Sequence, residues 1–243
     1  MSLNLGFGAG KRHLLTLSFD DGFRHSFSRI AEIHEHHGLK ACLNVLAADD
    51  GSFGGSTDDI QQKFPKGDFS LWRALAERGH EIMPHGWNHT NKAHVPLAVA
   101  QDLILRCLGS FTREIPGFQP LRSVFNFPYG GSTPVLEEWL NTIVRGYRPG
   151  GEGFNPLPHR MLRRVICCAT GPTGIEIHME SLVERLLLQD SGWLVYNLHG
   201  LDGEGWGPIS AEWLDQFLRR MTTIPSLLIE PTASLLTSAD TLG

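Results

Sequence analysis

Short apolar runs alternate with helix-spaced amphipathic segments along most of this chain, and that alternation is its strongest constraint. The runs His13 to Leu17, Lys40 to Leu46, His80 to Met83, Ser123 to Phe127, Thr142 to Tyr147, Leu162 to Cys167, Trp193 to Leu198 and Ser226 to Ile229 read as strands. Between them, Arg24 to His37, Asp68 to Arg78, Leu97 to Phe111, a segment opened by Thr133 and Pro134, Ile175 to Gln189, and a segment after Ser210 carry apolar residues at helical spacing. Gly38 and Gly79 stop two of these helices, and Asp68 and Ser210 cap two others. Thr133 followed by Pro134 is the favoured order of cap then proline. Strand–helix–strand order requires crossover connections, hence a parallel sheet. The tail after Pro231 reads as polar.

No linker or composition break divides the 243 residues, so a single domain is expected over 1–243, its core between about 12 and 229. The stretch 47–67 is rich in Gly, Ser and Asp and reads as a long loop bordering a site. Within it, Gly51 to Gly55 lacks the Gly-Lys-Ser/Thr of a phosphate loop. A net charge of -5 without a basic run argues against nucleic acid as a partner. No stretch is long and apolar enough to span a membrane. Met1 to Lys11 lacks the apolar core of a signal peptide, so a cytoplasmic protein is expected, or a secreted one if a leader has been trimmed. Cys42, Cys107, Cys167 and Cys168 show no CxxC spacing and read as small buried residues. Nothing in the sequence assigns an oligomeric state.

The chemistry-bearing residues fall in one kind of place. Asp20, Asp21, His85, His89, Tyr129 and His199 all lie just past the carboxyl ends of expected strands, where a parallel β/α barrel builds its active site. No Gly-x-Gly-x-x-Gly follows the first strand, which favours a barrel over an open dinucleotide-binding sheet. Alone, Asp20-Asp21-Gly22 could be a turn or a helix cap. His85 and His89 are four apart, a spacing that turns two imidazoles one way, although Gly86 makes a regular helix doubtful there. Two histidines and a carboxylate, here Asp21, leave open positions on a divalent metal. His34, His36 and His37 sit at a helix end, where histidine suits the helix dipole, and read as a solvated terminus.

These residues carry a resemblance to the polysaccharide deacetylases, the NodB-homology or carbohydrate esterase family 4 enzymes. Ser18-Phe19-Asp20-Asp21-Gly22 resembles the family's first motif, and His85-Gly86-Trp87-Asn88-His89 its His-x-x-x-His motif. Phe125 to Gly130 resembles the third, and Tyr196-Asn197-Leu198-His199 the last. The resemblance implies a distorted (β/α) barrel and metal-dependent hydrolysis of an N-acetyl group on an amino sugar or polysaccharide. It implies Asp20 as general base and His199 as general acid. Asp21, His85 and His89 would hold one divalent metal, zinc first, with cobalt, nickel, iron or manganese compatible. The Tyr129 N–H would be the oxyanion donor and Leu198 a wall of the acetyl pocket. Two departures stand out. Asn126 occupies the place of an arginine that braces the base, leaving Arg122, Arg148 or Arg164 as substitutes. The fourth motif's aspartate has no match between Thr142 and Cys168, with Glu152 and Asp190 poorly placed.

The residues support the same chemistry independently. A metal polarises the carbonyl and acidifies water, while a base and an acid handle the two protons. Phe127, Tyr129, Trp87 and Trp206 are candidate sugar platforms, each weighed against ordinary core packing. The glycines around Trp206 place it on a rim. Competing readings are an amidase on a small or lipid-linked N-acyl compound, a non-catalytic carbohydrate-binding relative, and a non-haem iron oxygenase. The alternating pattern disfavours the last, whose usual scaffold is all-β.

Overall fold

The structure, a computed structural model, describes residues 10–48 and 63–240. Most of the glycine-rich loop, including Gly51 to Gly55, lies outside them. Strand β1 (His13–Phe19) leads to α1 (Arg24–His36), β2 (Cys42–Val45), α2 (Phe69–Glu77) and β3 (Glu81–Pro84). Then come α3 (Leu97–Glu114), β4 (Val124–Asn126), α4 (Pro134–Leu140), β5 (Gly146–Arg148) and α5 (Ile175–Leu187). The chain ends with β6 (Gly192–Leu198), α6 (Ala211–Thr222), β7 (Leu227–Ile229) and α7 (Thr232–Asp240). Asp68 accepts from the Ser70 and Leu71 N–H groups, and Ser210 from that of Trp213, as their cap positions require.

All strand pairs are parallel. β6 runs along one edge of β1 from His13 to Phe19. The other edge is shared: β7 pairs with its first half and β2 with its end, and β3 follows β2. β4 and β5 form a separate pair. Isolated bridges Tyr147↔Arg164, Gly150↔Cys167 and Cys168↔Tyr196 connect β5 to β6. The expected strand Leu162 to Cys167 is reduced to these bridges, because the segment switches partners along its length. Between β3 and β4, side chains take over from a ladder. His85 Nδ1–H donates to the Asn126 carbonyl at 3.1 Å, and Asn126 Nδ2 donates to the Pro84 carbonyl at 3.3 Å. The result is a distorted barrel.

Alternation along the strands separates two apolar layers. Leu15, Leu17, Phe19, Leu194, Tyr196 and Leu198 pack outward with the helices, among them Phe27 and Ile30 of α1 and Phe217 and Leu218 of α6. Leu14, Val124, Trp193 and Val195 face inward, and Leu235 and Leu236 of α7 close that end. The tail after Pro231 is therefore a helix with a buried face, its apolar residues hidden by the hydroxyl-bearing ones around them. Above this floor the interior is polar. Thr16 Oγ1 accepts from Trp193 Nε1 at 3.0 Å, and Asn44 Nδ2 donates to Ser18 Oγ at 2.8 Å. Cys42 Sγ donates to Glu81 Oε1 at 3.5 Å, and the buried Glu81 carboxylate accepts the Ala233 and Ser234 N–H groups that open α7. Burial pushes the Glu81 carboxyl above its usual range against these donors.

The histidines at the end of α1 divide. His36 and His37 bond to Asp215 Oδ1 at 3.1 and 2.9 Å, and Arg219 pairs with Asp215 Oδ2, so hydrogen bonds to one carboxylate account for that cluster. His34 instead is buried against the Phe19 ring, with Nδ1 bonded to the Ile30 carbonyl. Its place on the inner face of α1 overrides its nearness to the helix end. All four cysteines are buried and free.

Candidate active site

Strand β1 carries its ladder one step beyond Phe19, where the Asp20 N–H donates to the Leu198 carbonyl at 2.8 Å. Asp20 continues the inward parity of Leu14, Thr16 and Ser18. Asp21 then takes φ +83°, which lets the second carboxylate turn toward the same mouth. His89 and Tyr129 also hold left-handed backbone, at φ +59° and +58°. Three such non-glycine residues around one cavity mark a site held in place by its surroundings.

Asp21 Oδ1 lies 3.4 Å from His85 Nε2 and 3.2 Å from His89 Nε2. One donor atom from each of the three residues falls within 4.8 Å of the others, and all three residues are buried. His85 gives its Nδ1 proton to the Asn126 carbonyl, which leaves Nε2 as the lone-pair nitrogen facing Asp21. This donor set and its second-sphere support fit a divalent transition metal. Burial works against ionisation of Asp21, but His89 and His85 outweigh it and hold the carboxyl well below its usual range.

Asp20 is held differently. Arg148 Nη2 donates to both its oxygens, at 2.6 and 2.5 Å, and Asn44 Nδ2 donates to Oδ1 at 2.8 Å. Arg148 Nε donates to Asn126 Oδ1 at 2.6 Å. Of the three substitute arginines, Arg148 is therefore the one that reaches the base. Arg164 pairs with Glu137, and Arg122 precedes β4 at the opposite end of the barrel. Burial raises the Asp20 pKa, while Arg148, His85 and His199 lower it further, so the carboxyl sits below its ordinary value.

His199 follows β6, partly exposed across the cavity, with the Trp206 ring edge-on at 5.3 Å. Burial lowers its pKa, partly offset by Asp21 and Asp20. Glu152 is exposed and Asp190 precedes β6, and neither lines the cavity. No acid between Thr142 and Cys168 lines the cavity, and the charged residue of that stretch that does is Arg148.

A cavity of about 370 Å3 joins these groups. Asp20, Asp21, His85, His89, Phe127, Tyr129, Arg148, His199 and Trp206 line it. Phe127 contributes an edge only, being 1% exposed and packed on Phe125. Tyr129 is 55% exposed with its ring 4.6 Å from His89. Trp206 is half-buried at the rim. Trp87 packs away from the cavity, under Arg106. Leu198 is buried in the outer layer and is not among the lining residues. The sequence singles out neither Asn44 nor Asn197, and it offers Arg148 only as one of three arginines that could brace the base. The available signal was an amide inside an otherwise apolar strand, in Ala41-Cys42-Leu43-Asn44-Val45 and Val195-Tyr196-Asn197-Leu198.

A parallel barrel with an Asp-His-His cluster, an arginine-braced aspartate and a facing histidine at its carboxyl end defines the class of NodB-type carbohydrate esterases. The chain belongs to the polysaccharide deacetylase family, whose model matches residues 8–143. A putative polysaccharide deacetylase from Mycobacterium smegmatis superposes with a TM-score of 0.66 at 13% identity, over 96% of this chain and 91% of that one. The Bc1960 peptidoglycan N-acetylglucosamine deacetylase, solved with a hydroxamate, gives 0.64 at 17% identity, over 95% and 91%. BA3943 from Bacillus anthracis, described as a family 4 pseudoenzyme, gives 0.56 at 12% identity, over 94% and 66%. At these identities the likeness is one of fold. No curated protein matches the chain. Among the described residues no helix is long and apolar enough to cross a membrane.

Proposed function

We propose that this chain hydrolyses the N-acyl group, in the first instance N-acetyl, of an amino sugar or polysaccharide, cleaving a C–N amide bond. The observation that carries this is the convergence of Asp20 with its arginine, the Asp21-His85-His89 donors and His199 on one cavity. A divalent metal, zinc first, on Asp21, His85 and His89 would polarise the amide carbonyl and make water a better nucleophile. Asp20, kept ionised by Arg148, accepts the proton of the attacking water. His199 faces it and gives a proton to the departing amine. Tyr129 lines the cavity with left-handed backbone, and its N–H would be the donor to the oxyanion, a contact of about 3–4 kcal/mol in such sites. Trp206 forms a rim for the sugar.

Acetate release from N-acetylated mono- and oligosaccharides, with and without added zinc or cobalt, tests this reading. Metal-stimulated release that is lost in Asp20→Asn is expected. Saccharide binding without release in either condition would instead favour a non-catalytic binding protein, a reading that the pseudoenzyme fold neighbour keeps in play.

A further inference from the structure

Strand order fixes which residues face each other across the cavity. From β3 the barrel continues through β4, β5 and the bridging segment 164–168 to β6, and so back to β1. The donors Asp21, His85 and His89 therefore occupy one side, past the ends of β1 and β3. The opposite side runs from Tyr129, after β4, to His199, after β6. Between those two the lining includes Gly130, Gly150, Cys167 and Ala169, none with a side chain longer than a thiol. Of the longer side chains there, Arg148 is drawn onto Asp20 and Asn126, and Asn197 has its carboxamide oxygen sealed in the wall. The Gly150 N–H donates to the Gly130 carbonyl at 3.4 Å and the Gly151 N–H to the Cys167 carbonyl at 3.2 Å, so this wall is largely backbone. Burial raises the Cys167 thiol pKa to about 12, so the group stays neutral and adds a small, soft surface. Gly150 and Ala169 are exposed, and the wall opens to solvent there.

A scissile acyl carbon carries three groups. In the reaction proposed above, its oxygen goes to the metal and the Tyr129 N–H, and its nitrogen goes to His199. The acyl chain is left with the sector between Tyr129 and His199, which is the small-residue wall. The resemblance implies that Leu198 closes an acetyl pocket, but Leu198 packs in the outer layer. The cavity's volume of about 370 Å3 lies in the range of about 300–1,000 Å3 that encloses whole small ligands, and a methyl group fills little of it. We infer that the acyl subsite is open-ended and takes N-acyl chains of butyryl and hexanoyl length beside N-acetyl itself. The inference rests on the hydrolase reading above and names the breadth of its substrate class. For each chain length, water's oxygen bonds to the acyl carbon, the C–N bond breaks, the amine leaves with a proton from His199, and the chain is released as a carboxylate.

The test uses one glucosamine oligomer acylated with acetyl, butyryl or hexanoyl. kcat/KM is measured for the zinc-loaded wild type, Gly150→Leu and Ala169→Leu, and binding of the three ligands is measured by calorimetry. A Cβ on Gly150 meets only the Gly130 Cα, at 3.7 Å, and Ala169 is exposed, so both variants add bulk to the wall without displacing the core. The wild type should process butyryl and hexanoyl at least as well as acetyl, by up to roughly tenfold, the scale of one methylene against apolar surface. Either variant should cut the hexanoyl-to-acetyl ratio by at least roughly tenfold, because the added side chain takes the space of the longer chain. The wild-type series stands on its own if a variant does not fold. A wild-type preference for acetyl over hexanoyl of roughly tenfold or more overturns the inference and leaves the proposed reaction standing. A ratio that neither folded variant lowers overturns the placement of the chain on this wall, and the inference with it. Hexanoyl and acetyl ligands bound with similar affinity but not hydrolysed support the inference and overturn the reaction. Neither binding nor hydrolysis of any ligand overturns both.

Discussion

Replacing Arg148 by methionine removes the only guanidinium that contacts Asp20 among the described residues. Three hydrogen bonds go: two to the Asp20 oxygens and one to Asn126 Oδ1. Asp20 keeps the Asn44 donor but loses its counter-charge in a buried setting. Breaking a buried pair by removing one partner costs about 3–5 kcal/mol, and that is the expected loss of stability near pH 7 in metal-free protein. The sign of the pH dependence follows. With Arg148 the Asp20 pKa is depressed, so its contribution is present above the unfolded value, near 3.9, and fades as pH falls below it. Without Arg148, burial and Asp21 are opposed only by His85 and His199, so the pKa moves up and the carboxyl regains stability by taking a proton as pH falls. The stability gap between wild type and Arg148→Met should therefore narrow from pH 7 toward pH 4. Arg148→Lys should recover part of the gap, because it restores charge but not the forked contact with Asn126. Urea unfolding of the metal-free proteins across that range measures both. A gap under about 1 kcal/mol, or one constant with pH, refutes the view that Asp20 depends on Arg148.

Other outcomes follow from the same geometry. Asp21→Ala and His89→Ala should abolish the roughly stoichiometric zinc binding expected of a single three-ligand site, measured by elemental analysis after reconstitution; retained metal would move the site elsewhere. Asp20→Asn and His199→Ala should keep metal and lose at least about a hundredfold in kcat, and near-normal turnover in His199→Ala would mean another group is the acid. His34, buried with its pKa lowered to about 4, is neutral in the fold. Its contribution is full above the unfolded value of 6.5 and is lost as pH falls toward 4, by about 3 kcal/mol, so unfolding of His34→Phe should depend less on pH across that window. Asn126→Arg should lower activity and stability by crowding Arg148, since Arg148 Nε already sits 2.6 Å from Asn126 Oδ1, and a more active variant would contradict this.

The sequence makes the parallel order and the placement of Asp20, Asp21, His85, His89 and His199 legible because both depend on local signals. Strand runs end where polar residues begin, and caps such as Asp68 and Ser210 act over three residues. Arg148 was legible only as one of three arginines, since contact with Asp20 depends on β5 closing toward β1 across the barrel. The same holds for Leu198. A motif match places the right stretch at the cavity, but the parity of β6 decides whether residue 197 or 198 looks into it. The helix at 232–240 was hidden by its threonines and serines, whose hydroxyls bond back along the chain, as Thr237 does to the Ala233 carbonyl.

The polar interior gives the molecule a built-in reporter. Cys42 stands in the column that runs from Asp20 through Asn44 and Ser18 toward Glu81, and its sulfur is 3.7 Å from Thr232 Oγ1 at the start of α7. Burial and the neighbouring Glu81 keep the thiol strongly protonated, so it resists alkylation while the column is shut. If α7 lifts from the barrel floor, Cys42 is uncovered before the outer helices come apart. Its alkylation rate, followed by peptide mass spectrometry beside that of Cys107 in the helical layer, separates a loosening of the floor from global unfolding.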